Sequence, residues 1–217
     1  MKLPNVFRCA IAIVAFSTLA PAAVILDKPA DLGPYWHPLS ATGTYAYANS
    51  FVFTGTSGTV ADTLGVYMRL NEGEEGTGSP FRFELLADNG NAPDPANVLA
   101  VSGYQQYSGT TLQLVTGSLL VPYALTNGTR YWVSASTVGQ QGGEAYQVGG
   151  HSQNSVYADN GTFWYSNDSS GMNFDGQSLT PEMAIYVAGG ESAIPEPTAS
   201  AMIAAGLGLL AFLRRRS

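Results

Sequence analysis

Apolar side chains recur at every second position in several segments of this 217-residue chain, and this alternation constrains its fold more than any other feature. Clusters of Gly, Asn, Asp and Pro separate the segments, which is typical of half-buried antiparallel strands joined by turns. No segment of the body carries an amphipathic helical period. We therefore predict an all-β, antiparallel, two-sheet β-sandwich of jelly-roll-like type over residues 23–190. The alternating positions are Tyr45, Tyr47, Phe51 and Phe53; Leu64, Val66, Met68 and Leu70; Phe81, Phe83 and Leu85; Leu112 and Leu114; Tyr131, Val133 and Ala135; and Met183, Ile185 and Val187.

A tight turn is predicted at Asn127-Gly128. This dipeptide lies between the apolar segments 121–125 and 130–134. Asn and Gly tolerate the positive φ angles that short turns require, so the pair is a strong local turn signal.

The amino-terminal segment has the layout of a signal peptide. Lys2 and Arg8 precede an apolar stretch over residues 9–20, and the small residues Ala20 and Ala22 occupy the usual cleavage positions. We predict that cleavage after Ala22 removes residues 1–22. The single cysteine, Cys9, leaves with this segment, so the mature protein has no disulfide and depends on packing for its stability.

The carboxyl-terminal segment, residues 191–217, reads as a linker, a Pro-Glu-Pro motif, an apolar helix and an arginine cluster. Residues 199–213 are apolar all round, which suits lipid better than the surface of a small domain. A helix of that length reaches about 22 Å, less than the hydrocarbon layer of about 30 Å. The cluster of Arg214, Arg215 and Arg216 should stay cytoplasmic, which places the body across the membrane.

This tail resembles the PEP-CTERM sorting signal. The resemblance is carried by Pro195, Glu196 and Pro197, by the apolar segment that follows, and by the terminal arginines, in that order. It implies recognition by an exosortase, a membrane-embedded processing enzyme. It also implies transient residence in the inner membrane, removal of the tail near Pro-Glu-Pro, and attachment or release at the cell surface.

The charge of the body excludes nucleic acid as a partner. Residues 23–198 contain four basic residues and all 16 acidic residues of the chain, which gives a net charge of −12. Nucleic acid and anionic lipid both require clustered Lys or Arg, which such a surface lacks. The four bases are Lys28, Arg69, Arg82 and Arg130.

The body also resembles the "choice-of-anchor" domains. The resemblance is carried by FELLADNGNAPDPANVLA at residues 83–100 and by LTNGTRYWVSAS at residues 125–136. It implies a β-sandwich found with several kinds of sorting tail, and it implies no activity.

The sequence contains little that indicates catalysis. His37 and His151 are the only histidines and lack metal-ligand spacing, and no nucleophile elbow of the form Gly-x-Ser-x-Gly occurs. We therefore expect no enzymatic activity and no cofactor. Asp88, Asn91 and Asp94 form a weak candidate for calcium, because they place several oxygen ligands over one turn. Ordinary turn chemistry explains the same residues.

Two aromatic residues are candidates for glycan contact. Trp164 and Tyr165 follow a predicted turn and precede a polar loop, and such rings stack on sugar faces at binding surfaces. Packing within a sheet is the competing interpretation. The sequence thus predicts a secreted surface or extracellular-matrix protein with a structural or adhesive role. The second hypothesis is a carbohydrate-binding module for exopolysaccharide, and the third is a polysaccharide-active enzyme.

Overall fold

A computed structural model describes residues 23–30, 32–34, 39–41, 45–151, 163–169, 173–174, 176–178 and 182–191. These residues form β-strands joined by turns and contain no helix, so the all-β prediction is confirmed. In this part of the chain no helix has the length and apolarity needed to cross a membrane. The predicted signal peptide and the predicted carboxyl-terminal helix lie outside the described residues. The strands are β1 (Ala23–Asp27), β2 (Leu32–Pro34), β3 (Ala46–Val52), β4 (Thr59–Leu70), β5 (Arg82–Asp88), β6 (Pro93–Val101), β7 (Gln113–Ala124), β8 (Arg130–Ser136), β9 (Tyr146–His151), β10 (Phe163–Ser166), β11 (Gly176–Ser178), β12 (Glu182–Met183) and β13 (Ile185–Glu191).

The strands form two antiparallel sheets. In the first sheet the order is β1-β13-β4-β9-β12, with β7 paired to β4 and β2 paired to β9. In the second sheet the order is β11-β10-β3-β8-β5-β6. The two-sheet sandwich predicted from alternation is therefore confirmed.

The core lies between the sheets and consists of the alternating residues. Leu64, Val66 and Met68 from β4 are fully buried, as are Phe83 and Leu85 from β5. Aromatic rings meet edge to face at its centre, with Phe81 at 5.4 Å from Phe83 and 5.1 Å from Tyr146 between ring centroids. Such pairs are preferred over face-to-face stacking because the ring edge is electropositive and the ring face electronegative.

The central strands of the second sheet are buried on both faces, which differs from the half-buried strands that alternation predicted. On the outer face of β3 and β8 the small side chains of Ala48, Ser50 and Ser134 are fully buried. Trp132 and Leu86 pack against Ala48 on this face. The burial of this outer face could not be predicted from the sequence, because Ala and Ser at every second position are typical of a solvent-exposed face.

The predicted turn at Asn127-Gly128 is confirmed, and Gly128 has a φ of 78°. The turn does not close a hairpin, however. It leads from β7, which pairs with β4 in the first sheet, to β8, which pairs with β3 and β5 in the second. Between β3 and β9 the chain changes sheet at every connection except the β5–β6 hairpin.

Candidate functional site

The two ends of the body lie side by side at one edge of the first sheet. β1 pairs antiparallel with β13, and Ala23 is opposite Gly189. β13 is also hydrogen-bonded to β4 along its whole length, from Ile185 opposite Val66 to Glu191 opposite Thr59. The first residue after the predicted signal cleavage is thus held against the strand that precedes the tail. Sequence reasoning did not pair the two ends.

The carboxyl end of β13 lies very close to the backbone of β4. The pairing with β4 is bulged between Ala188 and Gly189, and a Cβ on Gly189 would collide with the carbonyl oxygen of Val60. Glycine is required here because two backbones approach closely. A cavity of about 400 Å³ lies beside this point, lined by β1, residues 51–55 and Gly190.

The sorting motif predicted at Pro195, Glu196 and Pro197 lies outside the described residues. So do Arg214, Arg215 and Arg216, and the cleavage residues Ala20 and Ala22. Four residue steps separate Glu191 from Pro195, which limits their separation to about 14 Å. Any enzyme that acts on the motif therefore works close to the folded end of the sandwich.

The two aromatic candidates for glycan contact face opposite sides of the second sheet. Trp164 is half-buried on the outer face, opposite Ala48, and packs against the small cluster that contains Leu86 and Trp132. Its indole Nε1 is buried and has no hydrogen-bond partner within the part of the chain that the structure describes. Tyr165 packs against the main core. Adjacent residues of a strand point to opposite faces, so the two rings do not form one surface.

The candidate calcium ligands lie around the β5–β6 turn, where Asn91 has a φ of 70°. The carboxylate of Asp88 accepts a hydrogen bond from the Trp132 indole at 2.8 Å and another from the Asn91 backbone N–H at 3.3 Å. Asp94 accepts one from the Ala96 backbone N–H at 3.1 Å. Among the described residues no group of three His, Cys, Asp or Glu side chains lies close enough to hold a metal.

One buried carboxylate lies on the outer face of β5. Glu84 is only 8% exposed and forms an ion pair of 2.7 Å with Arg82, whose guanidinium also lies 5.2 Å from the centroid of the Tyr104 ring. Burial raises the pKa of Glu84, and the charge and hydrogen bond of Arg82 partly oppose that rise. The carboxylate is thus held in a structural ion pair.

The described fold defines the body as a β-sandwich of two antiparallel sheets. The tail adds a specific identification, because residues 193–217 match the PEP-CTERM protein-sorting motif. The match confirms the sorting signal read from the sequence and supports export and a cell-surface or extracellular location after processing by an exosortase. No curated protein matches the chain.

Proposed function

We propose that this protein is a non-catalytic structural or adhesive component of the cell surface or extracellular matrix. The observation that carries the proposal is the position of the sorting signal, which begins two residues after the end of β13. Processing there would leave the whole sandwich intact, with its last strand still paired on both sides. The product is a compact acidic domain delivered to the outside.

The non-catalytic part of the proposal is supported by how the described carboxylates are used. Glu84 and Glu72 are paired with Arg82 and Arg69, both at about 3 Å, and Asp88 holds the Trp132 indole. Each of these carboxylates thus has a partner within the folded chain. We also infer that the crossings between sheets form a jelly-roll-like wrapping and that the body is related to the choice-of-anchor domains.

Termini mapped by mass spectrometry on surface-exposed protein test the delivery. We expect a mature chain that begins near Ala23 and lacks most residues after Pro197. Replacing Arg214, Arg215 and Arg216 with Ser should leave the chain unprocessed, because these arginines set the topology of the tail. Recovery of surface protein that retains the arginines would contradict the proposal.

Cells without this protein test the structural role. We expect weaker cohesion of the cell layer, restored by the wild-type chain and not by a chain that lacks residues 193–217. Incubation of the purified protein with the polysaccharide of its own cells should release no reducing ends. Release of reducing ends would replace the structural role with an enzymatic one.

A further inference from the structure

A second cavity, of about 430 Å³, opens between the β5–β6 hairpin and the turn that joins β7 to β8. It differs from the first cavity because charged side chains are among those that line it. The lining residues include Asp88, Asn97, Tyr123, Thr126, Thr129 and Arg130. Neither of the aromatic candidates for glycan contact, Trp164 and Tyr165, lines this cavity, since both are on β10, two strands from β8.

The body contains four basic residues, and Arg130 differs from the other three in its contacts. Lys28 is buried and donates a hydrogen bond to the Ser50 carbonyl at 3.0 Å. Arg69 and Arg82 are paired with glutamates. Arg130 is half-buried, and its guanidinium makes no ion pair or hydrogen bond with any residue in the described ranges. A guanidinium carries five N–H donors and no acceptor, so that of Arg130 is available to pair with a ligand.

The carboxylate of Asp88, an acceptor in the same cavity, is held in position. Asp88 receives its two hydrogen bonds from Trp132 and Asn91, one on each carboxylate oxygen. Each oxygen keeps a further lone pair, because an ionised carboxylate offers about four acceptor sites. The Asn97 amide supplies both a donor and an acceptor. Donors and acceptors therefore lie in the same cavity.

Tyr123 supplies an apolar surface in this polar cavity. Its half-buried ring meets Tyr131 edge to face at 6.0 Å between centroids. Tyr131 is itself held by the Thr126 backbone N–H, which donates to its hydroxyl at 2.9 Å. A ring fixed in this way is preorganised for contact and loses little entropy when a ligand binds.

We propose that this cavity binds a neutral sugar unit of a polysaccharide. A pyranose presents an apolar C–H face, which suits the Tyr123 ring, and a rim of hydroxyls that both donate and accept hydrogen bonds, which suits Arg130 and Asp88. A polyanionic chain is disfavoured because the body carries a net charge of −12. This inference rests on the proposed adhesive function and names the class of ligand.

Titration calorimetry on the full chain tests the site, in a detergent without a sugar head group. The probes are hexasaccharides of glucose, mannose and galactose, with a hexauronate as the charged comparison. We expect the wild-type chain to bind at least one neutral probe. Arg130→Gln and Tyr123→Ala should weaken that binding at least tenfold, whereas Arg69→Gln and Trp164→Ala should not change it. Arg69→Gln is the matched control, since it removes the same charge from a guanidinium that is already paired.

Asn97→Trp is a second variant that tests the same cavity if Tyr123→Ala fails to fold. Asn97 is exposed on β6, so an indole there blocks the cavity without removing a core contact, and it should abolish binding. Three results would overturn the proposal. They are no binding of any neutral probe, equal affinity of Arg130→Gln and Arg69→Gln, and binding of the hexauronate alone. If the chain binds sugar but never reaches the cell surface, only the proposed function is overturned. If the chain reaches the surface but binds no sugar, only this inference is overturned.

Discussion

β7 and β8 are consecutive strands joined by one tight turn, yet they experience opposite environments. On β7, Leu120 is 69% exposed and Val121 is 71% exposed. On β8, every residue from Tyr131 to Ser136 is buried, including the serines. The difference arises from position. β7 bonds to β4 alone among the named strands, whereas β8 lies between β3 and β5 and is covered on both faces. The burial of a residue on these two strands thus depends on the position of its strand in the sheet rather than on whether the residue is apolar or polar.

The strongest test of this contrast is truncation of one large side chain on each strand. Trp132→Ala should lower the free energy of unfolding by about 3–5 kcal/mol, because it empties a fully buried site and frees Asp88 from its indole partner. Leu120→Ala should change it by less than about 0.5 kcal/mol. Chemical denaturation of the purified variants measures both. Similar losses for the two variants would show that β7 is covered in solution.

A smaller effect of opposite sign is expected from the serines. The hydroxyl of Ser134 is buried on β8 and has no hydrogen-bond partner in the described part of the chain. Ser134→Ala should therefore raise the free energy of unfolding by about 1 kcal/mol, because it removes a desolvated polar group at nearly constant shape. The matched change on β7, Ser118→Ala, should be neutral because Ser118 is exposed. Destabilisation by Ser134→Ala would mean that the hydroxyl has a partner.

The pH dependence of stability should reveal the buried carboxylate beside β8. The pKa of Glu84 is raised in the folded state, so the folded chain binds its proton more tightly than the unfolded chain. Its contribution to stability is present below the ordinary glutamate pKa and is lost as pH rises through the raised value. Glu84→Gln should therefore gain stability relative to wild type as pH rises across that window. The exposed Glu72→Gln should show no such trend, and parallel profiles for the two variants would contradict the assignment.

The smallest expected effect is that of calcium at the β5–β6 turn. Because the described residues bring no three metal-ligating side chains together, we expect millimolar calcium to change the melting temperature no more than magnesium or sodium at matched ionic strength. A calcium-specific rise that disappears when Asp88 and Asp94 are both replaced by Ala would establish a site there. A ligand at 100 times its Kd contributes about 2.7 kcal/mol, which is readily detected.

Periodicity predicted the inner faces of the strands well. The alternating residues of β4, β5 and β13 all lie in the core, because large apolar side chains at every second position must share one face. The Asn127-Gly128 turn was also predicted, since it depends on local φ angles. These features are encoded within a few residues.

Long-range features could not be predicted in the same way. A turn motif does not determine which sheet the next strand joins. The placement of β7 and β8 in different sheets was therefore not predicted. Ser134 and Ser50 read as exposed although they are buried. Arg130 was visible only as one of four bases, and its place in one cavity with Asp88 depends on the pairing of β5 with β8, which are distant in sequence.

The end of β13 and the second cavity lie on either side of a single strand. Glu191 is opposite Thr59 on β4, and the Thr59 carbonyl accepts a hydrogen bond from the Leu125 backbone N–H at 2.8 Å, at the start of the turn that lines the cavity. If the tail end is tethered and the cavity is occupied, this hydrogen bond lies on a short path between the two loaded points. A pull along β13 shears its bonds to β1 and β4 together instead of opening them one by one.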